Sequence, residues 1–386
     1  MAGVLIIGAG QAGAEAALAL RQNRYDGPIT LIGDEEVPPY NRPPLSKDFL
    51  CGALPPERLL LRSAAAYERA DITLRLGETV RALDPQRRLV HLAGGDALPY
   101  SALILATGSR ARTLSLPGAD SARLMTLRTQ GDAERLQSAL RPGIRLAIIG
   151  AGWLGLEIAA SSRKLGCEVA VIEAADRILA RSTSPLTAEA LSARHRREGV
   201  ALYLGRGVVR MEGADVLLSD GQKVGADLVV ACIGGAAEIA LAQSAGIVCG
   251  AGIKADADAR TSIPDIYAVG DCAEWDCSDG RGAQRLESVQ MAAQGARAAA
   301  AAICGLPRPS GKMPYFWSQQ YDLKLQIAGV VPAGAVTSDT LKGDVDGAFS
   351  VTRSLDGKLV AVEAVNSPAA YIEAQRALAQ PLVAVS

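Results

Sequence analysis

The chain has 386 residues, of which 49% are hydrophobic and 21% charged, and 40 basic against 41 acidic side chains leave a net charge of −1. That length exceeds a single hydrophobic core and points to about two to three domains, and the composition is that of a soluble globular protein, not a disordered or fibrous one. A near-neutral balance gives no global bias toward nucleic acid, and neither a leader nor a membrane-length apolar run is legible from Met1 onward. The expected partners therefore include no nucleic acid and no membrane, and the expected location is cytoplasmic.

The first stretch, Val4 to Glu15, runs from an apolar strand through Gly8, Gly10 and Gly13 into an alanine-rich helix reaching about Leu20. In a dinucleotide site Gly8 permits the tight turn, Gly10 lets the backbone approach a pyrophosphate and Gly13 lets helix and strand pack closely. Taken alone the pattern is weak, because ordinary strand-to-helix turns also use glycine. A second strand, Ile29 to Ile32, ends at Gly33-Asp34, where a ribose-binding carboxylate belongs; a plain loop acid is the other reading of Asp34.

The loop from Pro38 to Lys47 is proline-rich, and the expectation is a rigid segment, not helical until about Leu45, presenting Arg42 and Lys47 to a nucleotide or simply to solvent. Alternation between Ile72 and Gly108, with a turn at Gly94-Gly95, predicts a small antiparallel sheet closing in the strand Ala102–Ala106.

The opening pattern then recurs. Leu146 to Glu157 repeats the strand, the glycines (Gly150, Gly152, Gly155) and the helix start, and the following strand ends on Glu173. Leu74–Gly77 leading to Leu103–Gly108 is matched by Leu202–Gly205 leading to Val229–Gly234, so two nucleotide-binding units of related design stand in tandem. The chain returns through Ile263–Asp271 to a strand ending in Gly-Asp, followed by a predicted helix from about Glu287 to Ile303. Prolines 307 and 309 mark a boundary, and the rest reads as short strands and a final helix from about Pro368 to Ala379. Seven cysteines, at 51, 167, 232, 249, 272, 277 and 304, are odd in number and scattered. They suggest a reduced compartment and no metal site.

Gly8–Gly13, Arg42-Pro43-Pro44-Leu45-Ser46-Lys47, Ala106-Thr107-Gly108, Gly150–Glu157, Ala268–Cys272 and Tyr315-Phe316-Trp317-Ser318 together resemble the ferredoxin reductases of the putidaredoxin reductase and biphenyl dioxygenase reductase type. The resemblance spans essentially the whole chain in order. It implies an α/β, glutathione-reductase-like fold: a discontinuous FAD-binding domain at 1–112 and 236–308, an NAD-binding domain at 113–235, both Rossmann-like, and a small α+β C-terminal domain at 309–386. It also implies the reaction, in which NADH reduces FAD and single electrons pass to a small 2Fe–2S ferredoxin serving a cytochrome monooxygenase or Rieske dioxygenase.

Carried onto this chain, the resemblance assigns FAD to Gly8, Gly10, Ala12, Gly13, Asp34, Arg42, Lys47, Val80, Thr107, Gly108, Arg112, Arg128, Asp271, Val289 and Trp317. NAD falls to Gly150, Gly152, Leu154, Gly155, Glu157, Glu173, Gly234 and Glu287, and Lys47, Glu157 and Trp317 are the expected catalytic group. The chain departs from the family at Ala111, Ala237-Glu238, Met291 and Gln319, which touches the nicotinamide and flavin edge but no glycine or carboxylate on which cofactor binding depends. Two other readings are a flavin disulfide or peroxide reductase, which needs a redox cysteine where only Cys51 is available, and a redox-linked binding flavoprotein resembling apoptosis-inducing factor.

Overall fold

In a computed structural model of the chain, residues 2–119, 123–276 and 283–379 are described; Cys277 and Arg281 lie outside them. The chain separates into two compact units, the first formed by Met1–Asn41, Pro56–Arg110 and Ala236–Lys312 and the second by Arg42–Pro55, Ala111–Gly235 and Met313–Ser386. Where the sequence suggests three domains, compactness groups the C-terminal segment and the short Arg42–Pro55 stretch with the second nucleotide-binding repeat.

The first unit is built on Gly3–Ile7, all five residues buried, with Ile29–Ile32 parallel on one side and the long strand Ala97–Leu105 on the other. The end of Ala97–Leu105 also pairs in parallel with Ile266–Ala268, while its start pairs antiparallel with Leu89–Leu92, which pairs with Val80–Asp84. Successive side chains of a strand point to opposite faces. Val4 and Ile6 accordingly enter one core, under the helices Gln11–Gln22 and Val289–Ile303, while Leu5 and Ile7 enter a second, with Leu103, Leu105 and Trp275. A sheet covered on both faces must be apolar on both, which is why Gly3–Ile7 reads as an unbroken apolar run rather than an alternating one. The two helices meet through alanines, among them Ala16, Ala17, Ala296 and Ala299, whose small side chains allow close approach.

In the second unit the parallel order is Ala201–Leu204, Glu168–Glu173, Arg145–Ile149, Leu228–Ala231, Leu124–Met125. The helix Trp153–Lys164 follows Arg145–Ile149, as Gln11–Gln22 follows Gly3–Ile7 in the first unit. The C-terminal part is a five-stranded antiparallel sheet in the order Tyr315–Gln320, Leu323–Gly329, Lys358–Val365, Phe349–Leu355, Ser338–Gly343, with the helix Pro368–Ala379.

Two local expectations need correction. The proline-rich loop turns helical earlier than about Leu45: Pro43–Ser46 forms a 3₁₀ turn, because proline is acceptable in the first positions of a helical turn, where its missing N–H would be unpaired anyway. The helix expected from Glu287 begins at Val289, since Ser288 is extended and its Oγ takes the Met291 N–H at 3.1 Å as an N-cap.

Candidate active site and dinucleotide turns

Each unit holds the same glycine turn, and the three glycines are required for different reasons. Gly8 and Gly150 have φ of +111° and +105°, and a methyl there would stand 2.1 Å from the Ala106 carbonyl oxygen and 2.5 Å from that of Cys232. Gly13 and Gly155 face the turn itself, with 2.0 Å and 2.1 Å to the carbonyl oxygens of Gly8 and Gly150. Gly10 and Gly152 are another case: a methyl on either would meet nothing within 4 Å. No described residue demands glycine at these two positions, and the space outside the backbone there is open. Both residues cap helices of 12 residues that have no side-chain cap and no acid in the first turn. Unpaired N–H groups and the positive end of the helix dipole are thus left for an anion, the arrangement a pyrophosphate fits.

In the first unit, Ala12 is buried against Gly270, beside Asp271. Asp34 is exposed at the end of its strand. The Thr107 hydroxyl donates to the Glu238 carbonyl at 2.6 Å, and the Glu238 N–H donates to the Gly108 carbonyl at 2.9 Å, so Glu238, one of the departures from the family, closes this corner through its backbone. Asp271 accepts from the Ser109 hydroxyl at 3.2 Å. Val80 packs against the second core cluster, Val289 opens its helix, and Glu287 holds Arg285 in an ion pair.

In the second unit the Arg42 guanidinium donates to the Arg128 carbonyl at 2.7 Å, which brings the two expected cofactor-binding arginines together. The backbone N–H of Arg112 donates to the Gly234 carbonyl at 3.0 Å. Leu154 lies in the first turn of its helix. Glu173 turns back onto its own turn, accepting the Ala151 N–H at 2.7 Å and the Ala175 N–H at 2.9 Å. Of the two arginines that could favour a 2′-phosphate, Arg177 is turned onto the Ala180 carbonyl at 2.9 Å, while Arg181 stands near Gly234, 3.9 Å from where a Cβ there would be.

The same unit assembles the expected catalytic pair. Lys47 Nζ lies 2.6 Å from Glu157 Oε2, and their side chains are 18% and 8% exposed. The 3₁₀ turn makes this possible: it points Ser46 and Lys47 at one carboxylate and leaves the Pro43 carbonyl to accept a second bond from Lys47 at 2.9 Å. Ser46 Oγ donates to the same Oε2 at 2.6 Å, and its carbonyl accepts from Ser161, one turn along the helix that carries Glu157, at 2.7 Å. Glu157 Oε1 accepts from Ser318 at 2.7 Å. A buried carboxylate is tolerable only when its oxygens are satisfied in this way.

Trp317 does not join the cluster. It neighbours Ser318 on a strand and so faces the other side, where its ring meets that of Tyr315 at 5.6 Å. Ser46 and Ser318, whose hydroxyls reach Glu157, were not among the expected site residues, although both lie inside the motifs Arg42–Lys47 and Tyr315–Ser318. Cys51 is a single free thiol, 3.9 Å from the Ser161 carbonyl oxygen, and the six cysteines of the described residues are all unpaired. Cys232 is pushed up to about 12 by burial, which keeps it a thiol. No group of three or more candidate metal ligands occurs among the described residues, and no helix among them is long and apolar enough to cross a membrane.

Residues 2–296 match the family described as pyridine nucleotide-disulphide oxidoreductase, and residues 315–384 the reductase C-terminal family. Rhodocoxin reductase of Rhodococcus erythropolis is 42% identical over 382 residues, covering 97% of this chain and 89% of its own length. The ferredoxin–NAD(+) reductase subunit of the benzene 1,2-dioxygenase system of Pseudomonas putida is 37% identical over 381 residues, covering 97% and 91%. Among solved structures, the putidaredoxin reductase–putidaredoxin covalent complex superposes with a TM-score of 0.94 at 36% identity, covering 97% of this chain and 92% of the other. The chain belongs to the pyridine nucleotide-disulphide oxidoreductase family, among the ferredoxin reductases that add a reductase C-terminal domain.

Proposed function

We infer that this protein is an FAD-dependent NADH:ferredoxin reductase that supplies electrons to an oxygenase through a small 2Fe–2S ferredoxin. The observation that carries this reading is the doubled turn: Gly10 and Gly152 each leave open space before an uncapped helix N-terminus, so one chain offers two dinucleotide sites. Bound FAD supplies the conversion of a two-electron hydride into single electrons, which an iron–sulfur partner requires.

The residues divide between the two cofactors. Gly10, Ala12, Gly13, Asp34, Thr107, Gly108 and Asp271 of the first unit hold FAD, and Arg42 and Arg128 are the further cofactor-binding arginines that the family resemblance assigns. Gly152, Leu154, Gly155 and Glu173 hold NADH, and Glu173 favours it over NADPH by presenting a carboxylate to the ribose 2′-hydroxyl. On this reading 1–112 with 236–308 is the FAD domain, 113–235 the NAD domain and 309–386 an α+β domain. Lys47 and Glu157 serve the hydride-transfer step, Lys47 as a fixed cation and Glu157 as its anchor. The six cysteines of the described residues, all unpaired, suit the cytoplasm, where reduced nicotinamide is available.

The ferredoxin is expected to dock through complementary charge. Arg281, Arg285, Arg308 and Lys312 flank the segment that returns to the first unit and the start of the C-terminal part and are the candidate docking cations; among the described ones Arg285 is engaged by Glu287 and the Asp271 carbonyl and Arg308 donates to the Ala257 carbonyl, which leaves Lys312 as the more available cation. The test is NADH-driven cytochrome c reduction with and without a 2Fe–2S ferredoxin across a salt series. Ferredoxin dependence that weakens with salt supports the reading. A ferredoxin-independent rate, or turnover of disulfides or peroxide, overturns it.

A further inference from the structure

We propose that Gln320, His195 and Tyr321 are positioning residues for the Lys47–Glu157 pair: with Ser318 they form one hydrogen-bond chain whose donors all point toward Glu157 and fix its carboxylate. The inference rests on the reading of that pair as part of the hydride-transfer site.

The direction of the chain follows from its end. Glu157, 2.6 Å from the Lys47 ammonium, is a carboxylate and can only accept. The single hydroxyl proton of Ser318 must therefore lie on its 2.7 Å link to Glu157 Oε1. Ser318 Oγ is then free only to accept from Gln320, 3.1 Å away, which places the amide nitrogen of Gln320 on that side and its oxygen toward His195. His195 Nε2, 2.8 Å from Gln320 Oε1, must carry the ring proton. His195 is 1% exposed, and burial holds it at about 4, below its usual 6.5, so it is neutral near pH 7 and its Nδ1 is an acceptor. Tyr321, with its hydroxyl 3.0 Å from Nδ1, donates to it. The proton position on each group is thus fixed by one carboxylate.

The supporting elements are rigid. Ser318 and Gln320 alternate onto one face of the strand Tyr315–Gln320 and are 1% and 3% exposed. His195 projects from the helix Pro185–Arg197, and Tyr321 takes a left-handed φ of +56° in the turn after the strand, its ring edge-on to the imidazole at 5.1 Å. The Arg194 guanidinium lies 5.3 Å from the Tyr321 ring centroid and is held by Glu198 and Asp322, so it is not a competing donor to the chain. A left-handed tyrosine costs stability that glycine would not, a buried polar chain costs stability that apolar residues would not, and aligned donors polarise one another. Breaking the chain at a distance releases Ser318 to rotate and leaves Glu157 to share both oxygens with Lys47, which moves the ammonium.

The test is stopped-flow reduction of the FAD-loaded full-length enzyme by NADH and by its 4-deuterated form, with reduction rate and apparent Kd for NADH resolved separately across pH. Gln320→Leu and His195→Asn should slow reduction about tenfold, the effect of weakening one charge-assisted hydrogen bond, with Kd for NADH unchanged. His195→Gln, whose amide nitrogen reaches the position of Nε2, should restore most of the rate. Tyr321→Phe, which removes only the terminal donor, should slow it about twofold and is the deciding variant if Gln320→Leu loses FAD. Wild-type rates in Gln320→Leu and Tyr321→Phe with full FAD content, or a His195→Gln as slow as His195→Asn, would overturn the proposal. Glu157→Gln is the control on the premise: if it too reduces at the wild-type rate, the reading of the pair fails; if it is slow while the distant variants are not, only the chain fails.

Discussion

Removing Lys47 separates an ordering role from a redox role. In Lys47→Met, Glu157 keeps the hydroxyls of Ser46 and Ser318 at 2.6 and 2.7 Å but loses the one counter-charge among its hydrogen-bond partners in the described residues, at 8% side-chain exposure. Breaking a buried pair in this way costs 3–5 kcal/mol, and the two remaining donors place this site near the lower end, about 3 kcal/mol. Glu157→Gln keeps an acceptor for one hydroxyl and removes the charge, so the double variant Lys47→Met/Glu157→Gln should recover most of that stability. Hydride transfer should not recover, because the fixed cation is absent in both: we expect reduction by NADH to be slowed about tenfold to a hundredfold in the single and the double variant alike. Guanidinium unfolding gives the stabilities and stopped-flow flavin absorbance the rates. If the rate returns with stability in the double variant, or never falls, Lys47 is an ordering residue only and the assignment is wrong.

The glycine turns give a matched pair of outcomes. Gly13→Ala puts a methyl 2.0 Å from the Gly8 carbonyl oxygen and should destabilise the fold by about 2–4 kcal/mol, whereas Gly10→Ala meets no protein atom and should leave apoprotein unfolding nearly unchanged while lowering FAD content, read from the 450 nm to 280 nm absorbance ratio. Gly152→Ala should retain FAD and raise the KM for NADH; loss of FAD instead would exchange the two sites. Glu173→Ala should shift the ratio of kcat/KM for NADH over NADPH by about tenfold toward NADPH, and an unchanged ratio would remove Glu173 from nucleotide selection. His195 sets a pH dependence of stability. With a native value of about 4 against 6.5 unfolded, the unfolded state alone binds the proton between those limits, so stability falls as pH drops through that window, by roughly 3 kcal/mol in all. His195→Gln should flatten this part of the urea-stability profile, and a profile identical to wild type would show that another group is responsible.

The turns and their repetition were legible in the sequence because their physics is local. A left-handed φ at Gly8, a helix packed on its own turn at Gly13 and strands apolar on both faces are demanded within a dozen residues, and the chain writes the same demand again at Gly150 and Gly155. The antiparallel strands Val80–Asp84, Leu89–Leu92 and the start of Ala97–Leu105, and the final helix, were legible for the same reason, through period and turn residues, whereas Ile72–Arg75 and Ala102–Leu105, expected in that antiparallel sheet, pair in parallel with Ile29–Ile32 and with Val4–Ile7, because the strand partner is set by tertiary packing and not by period. Even the error at the proline-rich loop was one of local chemistry: proline was read as a barrier to helix when at Pro43 it begins a helical turn.

What could not be read locally is which polar groups meet. Ser46 lies 111 residues from Glu157, Ser318 lies 161 from it and His195 lies 125 from Gln320, and no spacing rule links such positions. Serine, glutamine and histidine in those segments look no different from surface residues until burial deprives them of water and obliges each to find a partner. The strand register decided the rest, since it turns Ser318 to the carboxylate and Trp317 away from it. The sequence by itself determined where phosphate-binding turns can form, whereas only tertiary packing decided which side chains surround Glu157, because desolvation and the hydrogen bonds it compels exist only once distant segments have closed over them.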